Sequence, residues 1–317
     1  MSRSSLPSVD GARTGLIQIT VGGLLWGTTG VVVQYVHHST GLSPVAIGFY
    51  RLAVAAVALF ILLPRMLRDV TAAVRSAPLL MLVIGAGLGI YQALYFYAVA
   101  AAGVAIATVV SIGLAPVTIA VWEAVRSGRM PARHTLVSVL AAVAGLTLIT
   151  GFQAAPTGAA PQPLLGLLAA MGAGIGYAAT TIVSGHVSQR VDPLTMTGSA
   201  TAIGALTLLP LALATGGIDF AVRPAPLGAL VYLGVVATAI AYALFYAGLR
   251  TTSGTAAVIL TLLEPLAAAL LAVILLSEPL TLPIIAGGIL LLGAVLMTHV
   301  RPSRRPGPVT LVADTDG

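Results

Sequence analysis

Two charged side chains interrupt apolar runs in which charge is costly. Glu264 lies ten residues into the run from Gly254 to Leu276, and Arg51 lies seven residues past Pro44 in the segment PVAIGFYRLAVAA. An ionisable group in hydrocarbon costs about 2.5–3.5 kcal/mol on insertion scales, so it faces a partner or a cavity rather than lipid. At helical spacing Glu264 shares its face with Thr261, Ala257 and Ala268, small neighbours that turn it toward protein. Pro265 follows directly and has no N–H, so the carbonyl of Thr261 loses its helical partner. A carboxylate and a freed carbonyl within one turn suit a cation, a proton or an ammonium group. The other reading is a permanent pair between Glu264 and Arg51 or a tyrosine. Pro116 frees Ile112 by the same logic, which marks Pro116 and Pro265 as expected helix breaks.

Arg51 shares a face with Ile47, Ala55 and Ala58. Its guanidinium fork suits a substrate carboxylate; equally, it can snorkel outward or brace a gate. Trp26 and Tyr177 fall near the centres of their apolar runs, away from the interfacial belts where such residues concentrate, and fit pocket lining or core packing. Tyr91, Gln92 and Tyr242 also lie deep and join the candidates. Tyr95, Tyr97, Tyr232 and Tyr246 fall nearer run ends and read as belt residues, although Tyr246 shares a face with Tyr242. Glu123 with Arg126 reads as an interfacial pair, Glu278 as part of an outer hairpin, and His37, His38 and His186 as exposed run-end residues.

The elements that must position these groups are membrane helices. The chain is 58% hydrophobic and 8% charged, with a mean hydropathy of +1.04, against roughly 25% charged in soluble domains. A spanning helix needs about 20 apolar residues. Crossings are expected at about 14–36, 44–63, 78–99, 103–125, 133–151, 163–185, 193–215, 226–249, 254–276 and 280–299. Runs such as Gly254 to Leu276 are apolar on every face, which excludes the alternation of barrel strands. All fifteen basic residues are arginine and there is no cysteine. That removes a Walker A loop, a Schiff-base lysine, disulfides and thiolate metal sites. No HExxH, G-x-S-x-G or paired intramembrane aspartate is present either, so an enzyme is not expected, nor a metal or another cofactor.

The arginines cluster between even-numbered crossings and the next: Arg65, Arg68 and Arg75; Arg126, Arg129 and Arg133; Arg190; Arg250; and Arg301, Arg304 and Arg305, with Arg3 and Arg13 before the first. The alternate connections contain only Arg223. By the positive-inside rule both termini are cytoplasmic. The pI near 10.1 thus reflects membrane topology and not nucleic-acid binding.

One offset of 149 residues lays the first half on the second. Pro44 falls on Pro193, Gly85 on Gly234, Phe96, Tyr97 and Ala98 on Phe245, Tyr246 and Ala247, and Pro116 on Pro265. Five crossings per half is an odd number, so the second copy enters the bilayer from the opposite side. The expected fold class is an all-α integral membrane protein, ten transmembrane helices forming two inverted five-helix repeats. Residues 1–13 read as a cytoplasmic tail, 14–151 as the first repeat, 152–162 as an extracytoplasmic linker, 163–299 as the second repeat and 300–317 as a disordered cytoplasmic tail.

LLWG at 24–27, PVAIGFYRLAVAA at 44–56, ALYFYA at 93–98 and LLEPLAAALLAVILLSEPLT at 262–281 resemble the drug/metabolite transporter superfamily, specifically its EamA-type members, over about residues 16–299. The resemblance implies a two-repeat carrier that moves small metabolites, commonly by export, driven by an ion or concentration gradient. This chain departs from the pattern, with Ala115 before Pro116 where an acid is expected and Ala200 where Arg51 maps, so any site is asymmetric. The function expected is secondary active transport of an amino acid or related partly apolar compound across the plasma (inner) membrane, with a coupling proton as a possible partner. A passive channel, a membrane scaffold and, more remotely, an intramembrane enzyme are the alternatives.

Overall fold

In water-free hydrocarbon, backbone groups must be satisfied within their own segment, and helices meet that demand. The computed structural model describes residues 9–151, 162–276 and 280–300 and contains helices but no strand among them. Most of the expected tails and linker, together with Arg3, Glu278, Arg301, Arg304 and Arg305, lies outside the described residues.

Among the described residues, ten helices are long and apolar enough to cross a membrane: span one, Gly11–Thr40; two, Pro44–Leu62; three, Pro78–Ala102; four, Val104–Ser127; five, Arg133–Thr150; six, Pro163–Val187; seven, Pro193–Ala214; eight, Pro224–Gly248; nine, Gly254–Leu275; and ten, Leu282–Val300. Each begins and ends within four residues of its expected position. Capping chemistry sets several starts. The Ser43 Oγ accepts from the Ala46 N–H at 3.2 Å ahead of Pro44, and Asp192, which occupies the equivalent position in the second half, accepts from Leu194 and Thr195 at 3.0 and 3.3 Å ahead of Pro193. An eleventh helix, Met66–Ser76, connects spans two and three.

The principal packing contacts of one half recur in the other. Span three packs on six as eight packs on one, three on seven as eight on two, and four on six as nine on one, while two and seven, four and nine, and five and ten pack on each other. Without a hydrophobic drive between helices in lipid, close approach over small residues holds such a bundle. A Cβ on Gly85 would meet the Ile203 Cβ at 2.5 Å; one on Gly234 would meet the Val54 Cβ at 2.5 Å. The offset that carries Gly85 to Gly234 also carries Val54 to Ile203, so these are one contact made twice. Between spans five and ten, Gly145 and Gly287 each lie against the other's backbone, with added Cβ atoms 2.6 and 2.5 Å from the facing carbonyl.

Three spans depart from regular helix. Span nine breaks at Leu262, whose N–H turns back to the Ile259 carbonyl at 3.2 Å. Span one breaks at Thr28, where the backbone N–H and the side-chain hydroxyl both donate to the Leu25 carbonyl, at 3.2 and 2.7 Å. In span eight, residues Val235–Ile240 form a π-helix. Pro116, expected to break span four, does not: the helix runs unbroken from Val104 to Ser127. In span nine the tightened three-residue turn at Leu262 lies three residues before Pro265.

Candidate functional site

The breaks in spans one and nine lie side by side. Gly23 and Gly27 of span one sit against span nine, where added Cβ atoms would lie 3.1 Å from the Leu260 carbonyl and 2.9 Å from the Glu264 carbonyl. Only glycine allows the two backbones this close. Glu264 lies in the first turn of the second half of the broken span, and Thr261 closes the first half, with its hydroxyl donating to the Val258 carbonyl at 2.9 Å.

Arg51 reaches the same region from span two. Ile47 and Ala55 on its face are fully buried, so the side chain turns into the bundle instead of snorkelling outward. Its Nε donates to the Thr238 Oγ1 at 3.1 Å, and Thr238 in turn donates to the Leu233 carbonyl, five residues back, at 2.7 Å. The π-helix makes this seat: the wider turn frees the Leu233 carbonyl for the threonine and leaves the hydroxyl oxygen to the arginine. π-Bulges of this kind occur often at functional sites. Arg51 and Glu264 feel one another's charge but form no ion pair within 4.0 Å. The permanent pair is therefore absent, and Glu264 makes no hydrogen bond to a tyrosine among the described residues either.

The aromatic side chains complete the cluster. Tyr91 and Tyr242 bring their hydroxyls to 2.8 Å across the boundary between the halves. Tyr177 packs against Tyr91 at a tilt, with ring centroids 5.3 Å apart and planes 52° apart, and its hydroxyl lies 3.3 Å from the Thr261 Oγ1. Trp26 meets Tyr242 edge-on at 4.9 Å, is buried, and has an indole N–H without a partner. Next to the tyrosines, Thr181, Ser184, Tyr242 and Tyr246 help enclose a void of about 10 Å³, room for about one water molecule.

Of the expected site residues, the structure brings together Trp26, Arg51, Tyr91, Tyr177, Tyr242, Thr261 and Glu264, with Pro265 at the break. Gln92 stays apart: its Nε2 donates to the Leu88 carbonyl of its own helix at 3.3 Å, and its Oε1 is buried without a partner. Tyr246, expected in an interfacial belt, is instead buried on Tyr242 at 5.8 Å. The four-residue spacing from Tyr242 is the signal that points there. Tyr232 is likewise no simple belt residue, since its hydroxyl lies 2.9 Å from the Thr28 hydroxyl at the break of span one. Thr28, Thr238 and Ser184 carry no distinguishing signal in sequence. Glu123 does not pair with Arg126; its carboxylate accepts from the Thr255 hydroxyl at 2.8 Å and the Thr255 N–H at 3.3 Å, capping span nine.

Comparison with known proteins gives this arrangement its context. The sequence pattern of the EamA-like transporter family matches residues 13–151 and again residues 164–300. The chain belongs to the EamA-like transporter family. It is thus a member of the drug/metabolite transporter superfamily, and membership points to a multi-pass membrane transporter and away from an enzyme. The uncharacterized transporter YwfM of Bacillus subtilis (strain 168) is 30% identical over 227 residues, covering 72% of this chain and 74% of that protein. The uncharacterized inner membrane transporter YicL of Salmonella typhimurium (strain LT2) is 30% identical over 302 residues, 92% of this chain and 97% of that one. A solved crystal structure aligns over 90% of this EamA-like chain and 96% of its own with a TM-score of 0.75 at 21% identity, which establishes a shared fold.

Proposed function

We propose that this protein is a secondary transporter of the inner membrane with both termini cytoplasmic, built as two inverted repeats that alternate access to one central site. The observation that carries this reading is an unpaired acid and an unpaired base held apart beside adjoining breaks of spans one and nine. Each ion costs free energy to bury, and neither recovers it from the other. A substrate with complementary charges supplies what each lacks. A compound carrying a carboxylate and an ammonium group, with an apolar or aromatic body for Trp26, Tyr91, Tyr177 and Tyr242, matches the cluster, so an amino acid or related partly apolar metabolite is the substrate class. Glu264 holds the ammonium group or a coupling proton, with Thr261 and the carbonyl freed by Pro265 beside it. Arg51 holds the carboxylate from its seat on Thr238. Export is the direction expected for the family.

Comparison of extracellular metabolites from cells with and without the protein identifies the compound, and proteoliposomes loaded with it test the mechanism. Saturable transport driven by a proton or substrate gradient is expected. Glu264→Gln should abolish gradient-driven accumulation while membrane insertion is unchanged. Non-saturating flux, or wild-type transport by Glu264→Gln, would overturn the proposal.

A further inference from the structure

The two halves match in their spans and principal contacts but not in one connection. Between spans two and three the chain forms the helix Met66–Ser76; the equivalent connection of the second half, between spans seven and eight, is not helical. Sequence explains the difference. RMLRDVTAAVRS has no Gly or Pro, whereas TGGIDFAVRP carries Gly216 and Gly217 at φ 119° and 81° and ends in Pro224. Because the second half forms its bundle without such a helix, packing of the spans does not require it.

The helix is amphipathic in a specific way. Met66 and Ala73 are buried, and Met66 and Val70 lie against Gly198 of span seven, with an added Cβ there 2.9 Å from the Met66 sulfur. Away from that face, Arg65, Arg68 and Arg75 are exposed, and none of them forms an ion pair with another described residue. Leu67, on the flank between the two faces, is 69% exposed. At helical spacing Arg68 and Arg75 share one side, seven residues apart, with Thr71 between them and Leu67. Asp69 is the single acid of the segment, so its net charge is positive. A leucine beside unpaired arginines, on a short helix whose opposite face rests on span seven, is the pattern of an element lying at a charged membrane surface.

We propose that Met66–Ser76 is a docking site for anionic phospholipid of the cytoplasmic leaflet, with Arg68 and Arg75 on the headgroup phosphates and Leu67 among the upper acyl carbons. The proposal rests on the cytoplasmic placement of this connection argued above. It also accounts for the broken symmetry: in inverted repeats the equivalent connection of the second half faces the other leaflet. Since Met66 and Val70 rest on span seven, lipid held by the helix bears directly on the contact between the two halves.

The chain has no cysteine, so Ala72→Cys gives a single labelling site on the exposed side of the helix. The full-length protein, labelled there with a fluorophore, is placed in phosphatidylcholine nanodiscs containing an equal mole fraction of either brominated phosphatidylglycerol or brominated phosphatidylcholine. Quenching by the anionic lipid should exceed quenching by the zwitterionic one about fivefold at low salt, and the preference should fall toward one at high salt. Arg68→Gln with Arg75→Gln should remove the preference, and Arg129→Gln with Arg250→Gln, at other connections of the same end, should retain it. Equal quenching by the two lipids, or a preference indifferent to Arg68 and Arg75, overturns the proposal. Orientation is read separately: labelling of Ala72→Cys in intact cells by an impermeant maleimide would refute the cytoplasmic placement and overturn the assignment to the cytoplasmic leaflet, whatever the lipid preference.

Discussion

Tyr91 and Tyr242 share one hydroxyl contact of 2.8 Å across the boundary between the halves. Truncating one partner leaves the other hydroxyl buried and unpaired, at a cost of about 1–3 kcal/mol, whereas removing both is close to neutral. Tyr91→Phe and Tyr242→Phe should therefore each lower stability by about 1 kcal/mol, and the double variant should lose much less than the sum of the two losses. Unfolding of the purified protein in mixed micelles measures all three; additive losses would show that the hydroxyls do not depend on each other. At this scale the sequence reveals a group only when its chemistry is unusual for its surroundings. Glu264 and Arg51 are conspicuous because charge in an apolar run is expensive. Thr28, Thr238 and Ser184 are not, because hydroxyl side chains are common in membrane helices, where they bond their own backbone. Gln92 shows the converse, a polar side chain at the right depth that turns back to Leu88. Depth along a run also misleads for Tyr246, which its packing on Tyr242 buries despite a position near the end of the span.

The ten spans are legible because hydrocarbon thickness fixes helix length, and their ends agree with expectation to within four residues. Irregularities inside them are legible only in part. Pro265 signals the break of span nine, yet Pro116 at the matching position leaves span four unbroken, so proline alone does not decide the outcome. Neither the break at Thr28 nor the π-helix Val235–Ile240 contains a proline; at each a threonine hydroxyl takes a backbone carbonyl, a pairing that propensity does not encode. Replacing Pro265 tests what its break contributes. Pro265→Ala restores an N–H for the Thr261 carbonyl and removes the ring clash, a change worth about 3 kcal/mol in a regular helix. The variant should be at least as stable as the wild type and its transport rate markedly lower, because the carbonyl proposed to face the substrate is then engaged. Stability and initial rate in the same proteoliposome preparation check this, and wild-type rates would show that the freed carbonyl plays no part.

Across the whole molecule, the contact of Gly85 with Ile203 and that of Gly234 with Val54 are the same contact in two copies, and inversion would place them toward opposite ends of the bundle. Gly85 lies seven residues from the Arg-bearing end of span three, and Gly234 ten residues from the far end of span eight. A methyl group at either position overlaps the facing residue only while that contact is closed. Its strain, about 1–3 kcal/mol for overpacking, therefore falls on whichever state keeps that end shut and shifts the population away from it. Gly85→Ala should favour opening toward the cytoplasm and Gly234→Ala opening toward the outside. Ser184→Cys, beside the small void near the Arg-bearing end, reports the difference through its labelling by an impermeant maleimide in inside-out vesicles. Its rate should rise about fivefold or more with Gly85→Ala and fall with Gly234→Ala, since 1.4 kcal/mol corresponds to about tenfold in population. Ile203→Gly and Val54→Gly, which remove the facing Cβ, should each reverse the effect of their own partner and not of the other. If both alanines moved the labelling in the same direction, the two copies would act on the same side of the membrane, and an inverted pair exchanging access across it would be untenable.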